Sequence, residues 1–214
     1  MAIQDTLPSP GNPIDQYGEN TGSITGPGFA SVSLTSDQPV VTNRSNSGIA
    51  FRSINRYHNW TLSISYNPMT KISFDTLYSF LLEKQATLEP FFVELPQYGN
   101  TSAGTKTVVA DASAGSTSLD LNSKASINIG DLFFVTDPMD DVHVKAYKVT
   151  RLSSSENKIF FSPVLQRKIE ASSMASISFG KPRLRVIMTD DSIKYSIGSN
   201  GLYSLSLNLE EALS

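Results

Sequence analysis

Apolar side chains alternate with serine and threonine over much of this chain, and this alternation constrains the fold more than any other feature. The clearest case is residues 60–66, where each apolar residue is separated from the next by one hydroxyl residue. Successive side chains of a β-strand point to opposite faces, so this segment predicts a strand with one buried face. The 32 serines and 16 threonines also favour strands and turns over helices.

Other apolar or alternating segments predict a series of short strands bounded by Gly, Pro, Asp and Ser. The predicted strands are residues 32–34, 49–51, 91–95, 118–121, 132–136, 142–149, 158–161, 175–179, 184–188, 193–197 and 203–209. Residues 198–201, with the sequence Gly-Ser-Asn-Gly, predict a turn that joins the last two strands as a hairpin.

One segment has the period of a helix. Phe74, Leu77, Tyr78, Leu81 and Leu82 recur at the spacing of one helix face, and they predict an amphipathic helix that ends near residue 85. The predicted fold class is therefore mainly β: a β-sandwich or barrel with one α-helix, plus an inserted small β-barrel module.

Two joints predict how the chain is divided. Residues 97–106 are polar and contain glycine, and Lys181-Pro182 marks a second boundary. We expect one β domain with a helix, formed by residues 30–100 and 181–214, with residues 101–180 inserted as a separate β module. Two sequential domains are the alternative.

Residues 1–30 contain four prolines and five glycines, which prevent a regular helix or central strand. They predict an extended N-terminal arm. Such an arm is either a disordered tail or a segment that orders against a neighbouring subunit.

Composition excludes several classes of function. The net charge of −3 and the scattered Lys and Arg residues argue against a nucleic-acid partner. The absence of cysteine excludes disulfides, thiolate nucleophiles and cysteine-based zinc sites. No apolar run is long enough to span a membrane, and the N-terminus lacks the pattern of a signal peptide, so we expect no membrane partner and synthesis in a cytoplasm.

Histidines and clustered carboxylates, which most often act in catalysis or metal binding, are few and dispersed along the chain. His58 is expected to be a partly exposed residue at a strand edge beside an aromatic ring, and His143 to lie on a strand surface. The acidic tract that contains Asp137, Asp140 and Asp141 lacks the spacing of a calcium loop and is expected to be a solvated turn. Glu210 and Glu211 are expected to form a charged edge. No catalytic, cofactor-binding or metal site is predicted, and hence no cofactor and no enzymatic activity.

The order of these segments resembles phage minor tail and distal tail proteins. Residues 43–96 are similar to the core of that family, in which a strand like residues 60–66 precedes a helix and then an aromatic strand like residues 91–96. Residues 114–167 are similar to a β module inserted in such proteins, although the Asp-rich loop at 137–144 departs from the family's shorter turn. Residues 201–212 are similar to the family's closing strand.

The resemblance implies a virion protein of a tailed phage, made in the host cytoplasm. It implies a structural ring-forming adaptor, with other copies of itself in a hexameric or trimeric ring, between the tail tube protein and the proteins of the tail tip, hub or baseplate. The alternative is a glycan-binding β-sandwich module on the virion surface, which would use Tyr57, Trp60, Tyr98 and Tyr147 as stacking platforms. Because Trp60 shares its face with Leu62 and Ile64, we expect it in the core. A hydrolase with an unfamiliar site is a third hypothesis.

Overall fold

A computed structural model describes residues 5–9, 28–54, 58–137 and 145–212. These residues form a mainly β structure with one α-helix, as predicted. In chain order the elements are β1 (Phe29–Asp37), β2 (Val40–Arg44), β3 (Ala50–Ile54), β4 (Asn59–Tyr66), α1 (Lys71–Glu83), β5 (Phe91–Glu94), β6 (Thr105–Thr107), β7 (Ser118–Asp120), β8 (Leu132–Thr136), β9 (Ala146–Leu152), β10 (Lys158–Ser162), β11 (Ser176–Ser178), β12 (Arg183–Met188), β13 (Tyr195–Ile197) and β14 (Tyr203–Glu211).

Most predicted strands occur within one to three residues of their expected bounds, and the hairpin between β13 and β14 is present. Two strands were not predicted, β2 and β6, because neither combines alternation with a buried face. The strand predicted at residues 142–149 is observed as β9, which begins at Ala146. Residues 142–144, like most of the predicted arm (1–4 and 10–27), lie outside the described residues.

The first sheet has the strand order β1-β4-β14-β12-β5, with all neighbours antiparallel, and β13 pairs with the start of β14. Its inner face carries the alternating apolar side chains of β4, β12 and β14, which are buried. At the β5 edge, Thr6 forms a parallel bridge with Phe92, and Leu7 is buried in the core. Residues 5–7 thus add to the sheet of their own chain.

Helix α1 covers the core of this sheet with Phe74, Leu77, Phe80 and Leu81. The prediction that Leu82 belongs to the buried stripe is wrong: its side chain is 54% exposed, and Phe80 is buried instead. Both residues flank Leu81, so the period alone does not choose between them. The ring of Phe80 meets that of Phe91 edge-on at 5.5 Å, which settles the rotation of the helix about its axis.

The second sheet has the strand order β6-β11-β8-β9-β10-β7. Its two end strands are joined by an antiparallel bridge between Val108 and Leu121, with backbone hydrogen bonds on both sides of it. The sheet therefore closes on itself as a small barrel. Its core is separate from that of the first sheet and includes the aromatic cluster Phe133, Tyr147, Phe161 and Phe179.

The chain enters and leaves the barrel at neighbouring points. The amide of Leu95 donates to the carbonyl of Pro182, and the amide of Asn100 donates to the carbonyl of Phe179. A Cβ on Gly99 would collide with the carbonyl oxygen of Gly180. The two connections are therefore paired by hydrogen bonds and in contact, at the positions where the sequence predicts joints.

Candidate functional site

The four aromatic residues considered as sugar platforms do not form an exposed group among the described residues. Trp60 is 5% exposed, as expected for a core residue, and Tyr147 is wholly buried in the barrel. The alternative glycan-binding hypothesis used Tyr147 as a stacking platform, but its alternation within β9 places it in the aromatic cluster. Tyr98 is half-buried. Tyr57 lies outside the described residues.

The predicted positions of the charged candidates need three corrections. His58 is buried instead of partly exposed, Asp137 is buried instead of solvated, and Glu211 is buried instead of forming a charged edge. Glu210 is exposed, as expected. His143, Asp140 and Asp141 lie outside the described residues. Across the described ranges, no group of three or more His, Cys, Asp or Glu side chains is placed to hold a metal ion.

The most unusual arrangement is a buried ion pair between the first sheet and the barrel. Lys145 Nζ, just before β9, lies 2.6 Å from Glu211 Oε2 at the end of β14. The same ammonium donates to the backbone oxygen of His58 at 2.9 Å. The Trp60 indole Nε1 donates to the backbone oxygen of Ala146 at 2.9 Å. These bonds connect β4 and β14 of the first sheet with the start of β9.

Burial dominates the electrostatics of this cluster. Burial raises the pKa of Glu211 and lowers the pKa of Lys145, and in each case the attraction between the two groups opposes the shift. Burial, together with the nearby Lys145 ammonium, lowers the pKa of His58 to about 4. The neutral imidazole Nε2 lies 2.9 Å from Ser36 Oγ, and its ring packs edge-on against Trp60. The ion pair and the two hydrogen bonds to backbone oxygens fix the start of β9 against β4 and β14.

Sequence analysis missed this pair, although one signal for it was present. Glu211 has the same parity in β14 as Leu205, Leu207 and Leu209, which are all buried. Alternation alone therefore placed a carboxylate on the inner face. A partner cation was not identifiable, because Lys145 is far from Glu211 in sequence and approaches it only through the packing of the barrel.

A cleft of about 550 Å³ lies beside this cluster, between β1 and the barrel. Polar side chains of Ser36, Gln38, Lys148 and Thr150 line it, together with apolar surface. Of the aromatic residues in its wall, Trp60 is almost wholly covered. Tyr98, the other aromatic residue in its wall, is half-buried, so the cleft offers at most one partly exposed ring for stacking on a sugar.

The hairpin formed by β2 and β3 groups several exposed apolar side chains. Among the described residues these strands pair only with each other, and every residue of β2 is exposed. Val40, Val41, Ile49 and Phe51 are 51–62% exposed. A two-stranded hairpin with solvent on both faces is marginally stable in water, so this surface is suited to contact with another protein.

The first sheet also has one open edge. Residues 5–7 cover the β5 edge, whereas among the described residues no strand pairs with the outer side of β1. β1 is nine residues long, and an unpaired strand of that length presents backbone donors and acceptors to another chain. No helix within the described part of the chain is long and apolar enough to cross a membrane.

A comparison with known families agrees with this architecture. Residues 15–98, which are 84 of the 214 residues, match the family model described as distal tail protein pb9, A domain, N-terminal. The match spans β1 to β5 with α1, and it includes the exposed hairpin and the open edge. No curated protein matches the chain. The resemblance to phage distal tail proteins that the sequence predicts is confirmed over residues 15–98.

Proposed function

We propose that this chain is a structural, ring-forming subunit of a phage tail, and that it joins the tail tube to the proteins of the tail tip, hub or baseplate. The observation that carries the proposal is the family match over residues 15–98. This matched segment includes the exposed β2–β3 hairpin and the open edge of β1. A virion location and association with other tail proteins follow from this assignment.

The exposed surfaces support assembly with other copies. The open β1 edge and the β2–β3 hairpin are both exposed among the described residues, and neighbours in a ring would cover them. We further propose that residues 30–100 with 181–214 form the ring-building domain and that residues 101–180 form an inserted module. The separate cores and the paired connections at Leu95 and Pro182 support this division.

The structural role needs no reactive centre. The buried Lys145–Glu211 pair and the Trp60 hydrogen bond would hold the barrel in a fixed orientation on the first sheet. A ring adaptor benefits from such rigidity, because small errors in subunit orientation accumulate around a ring. We therefore infer a structural protein with no enzymatic activity.

The proposal is tested by the mass of the purified full-length chain in light scattering, alone and mixed with the tail tube protein of the same phage. We expect a discrete species of six or three copies in at least one condition. A chain that remains monomeric at high concentration in both conditions would overturn the proposal. Specific binding on a glycan array would favour the surface-module alternative.

A further inference from the structure

The β2–β3 hairpin has one face that carries its charge. In the strand register, Thr42 lies opposite Arg52 and Arg44 lies opposite Ala50. Residues directly opposite in an antiparallel pair share a face, so both arginines project from the same side of the hairpin. Val40 has the same parity as Arg44 and is also exposed. We call this surface the arginine face: Val40, Thr42, Arg44, Ala50 and Arg52.

The hairpin is basic, whereas the rest of the chain is acidic. Residues 40–54 contain two arginines and no Asp or Glu. Since the whole chain has a formal net charge of −3, removing the hairpin leaves −3 − 2 = −5. A second copy of this chain is therefore a favourable partner by charge.

A matching surface exists on the solvent side of α1. Ile72, Asp75, Ser79, Leu82 and Glu83 fall on one side of the helix by its 3.6-residue period, and we call this side the outer helix face. The apolar members are well exposed, Ile72 at 82% and Leu82 at 54%. The two carboxylates, Asp75 and Glu83, are exposed and have no ion pair among the described residues. Two exposed apolar groups beside two carboxylates complement Val40 and the two arginines.

We propose that the arginine face of one copy docks on the outer helix face of the next copy in the ring, an inference that rests on the proposed function. Arg44 and Arg52 are diagonal neighbours, about 7–8 Å apart along the hairpin. Asp75 and Glu83 are eight residues apart, about 12 Å along the helix axis. The difference of about 4 Å is within reach of two long arginine stems.

This contact joins two different patches, so it is head-to-tail. Each copy offers a hairpin to one neighbour and a helix to the other, and such an interface generates a closed ring when the rotation between copies closes. The contact would cover the hairpin, which pairs with no other strand in the described part of the chain, together with the exposed Leu82 and Ile72 of α1.

The test is charge reversal in the full-length chain, read out by light scattering under conditions where the natural chain assembles. The variants are Arg44→Glu with Arg52→Glu, Asp75→Arg with Glu83→Arg, and all four changes together. Each double variant should raise the dissociation constant of the assembly by about ten-fold or more, because like charges face each other. The four-fold variant should restore assembly, because the charges are complementary again.

A control separates local pairing from net charge. Lys181→Glu with Lys194→Glu reverses two exposed lysines and makes the same change in net charge as the arginine variant. It should assemble like the natural chain. Circular dichroism and the fluorescence of Trp60 check that each variant is folded.

The outcomes separate a failure of the docking contact from a failure of the ring proposal. If the natural chain assembles but the double variants assemble equally well, or if the four-fold variant remains dissociated, the docking contact is overturned and the ring proposal stands. If the natural chain does not assemble under any condition, the ring proposal fails and the contact falls with it. A second probe mixes an Arg52→Cys chain with a Glu83→Cys chain under mild oxidation. Because the chain has no cysteine, a disulfide-linked pair of the two chains supports the contact, and its absence at assembling concentrations contradicts it.

Discussion

The ammonium of Lys145 lies 2.6 Å from Glu211 Oε2, and both side chains are almost wholly buried where the barrel meets the first sheet. Lys145 directly precedes β9 of the barrel, whereas Glu211 ends β14 on the inner face of the first sheet. The pair therefore exists only when the two sheets are docked.

Removing the cation alone should destabilise the protein strongly. Lys145→Met leaves the Glu211 carboxylate buried without a partner cation, which we expect to lower the free energy of unfolding by about 3–5 kcal/mol. Urea unfolding followed by the fluorescence of Trp60, the one tryptophan of the chain, measures this directly. Lys145→Met combined with Glu211→Gln removes both charges and keeps an oxygen for the Trp60 amide, so it should recover much of the loss. A double variant as unstable as the single one would contradict this account.

The buried imidazole of His58 predicts a stability that falls in acid. Its folded-state pKa of about 4 is below the ordinary value of 6.5, so between these values the unfolded chain binds the proton and the folded chain does not. The free energy of unfolding should therefore decrease as the pH falls from about 6.5 to about 4. In His58→Gln this component is absent. Urea midpoints of both proteins at pH 7.5 and pH 4.5 give the comparison, in which the raised pKa of Glu211 is common to both. Equal pH dependence would contradict a buried neutral imidazole.

Because the two barrel connections are in close contact, substituting alanine for Gly99 should destabilise the protein more than the same change at Gly180. Gly99→Ala places a methyl group against the backbone of Gly180, so the connections must separate and we expect a loss of about 1–3 kcal/mol. Gly180→Ala has no atom within 4 Å of the new methyl group, and its stability should be nearly unchanged. The unfolding temperatures of the Gly99→Ala and Gly180→Ala variants measure this difference. Equal effects would show that the connections are not in contact.

Residues 5–7 are anchored to the β5 edge, so truncating the side chain of Leu7 should lower the free energy of unfolding substantially. Leu7 is 1% exposed, and its amide donates to the carbonyl of Phe92 at 2.7 Å. Leu7→Ala should cost about 2–5 kcal/mol, because it leaves a cavity in the core of the first sheet. Leu88→Ala, at a leucine that is 66% exposed, should change stability by less than about 0.5 kcal/mol. If the two changes are equivalent in urea unfolding, residues 5–7 do not add to the sheet.

Local patterns were sufficient to predict most of the strands and the one helix. Residues 60–66 and β14 alternate so regularly that their inner faces can be read from the sequence, and Trp60, Leu62 and Ile64 are buried as expected. The period of α1 identified the helix but not its rotation, which depends on the contact between Phe80 and Phe91. That contact joins α1 to β5, the next strand along the chain, and leaves no mark in either local pattern.

Features that arise from contact between the sheets could not be predicted. Glu211 and His58 were expected at exposed positions because charged and titratable residues usually are, yet both are buried. The parity of Glu211 in β14 predicts its inner position, but not the cation that pairs with it. Leu7 lies in a proline- and glycine-rich segment whose composition suggests an arm, yet the β5 edge provides a place for it. In contrast, the weak alternation of β2 is consistent with its exposure on both faces, which is the property that points to assembly.

The central claim is that this chain is built to assemble into a ring with its own copies. Electron microscopy of the purified full-length protein, alone and with its tail tube protein, tests that claim most directly. The account predicts closed rings with six-fold or three-fold symmetry and a central opening. Single, unassociated particles in both samples would contradict it.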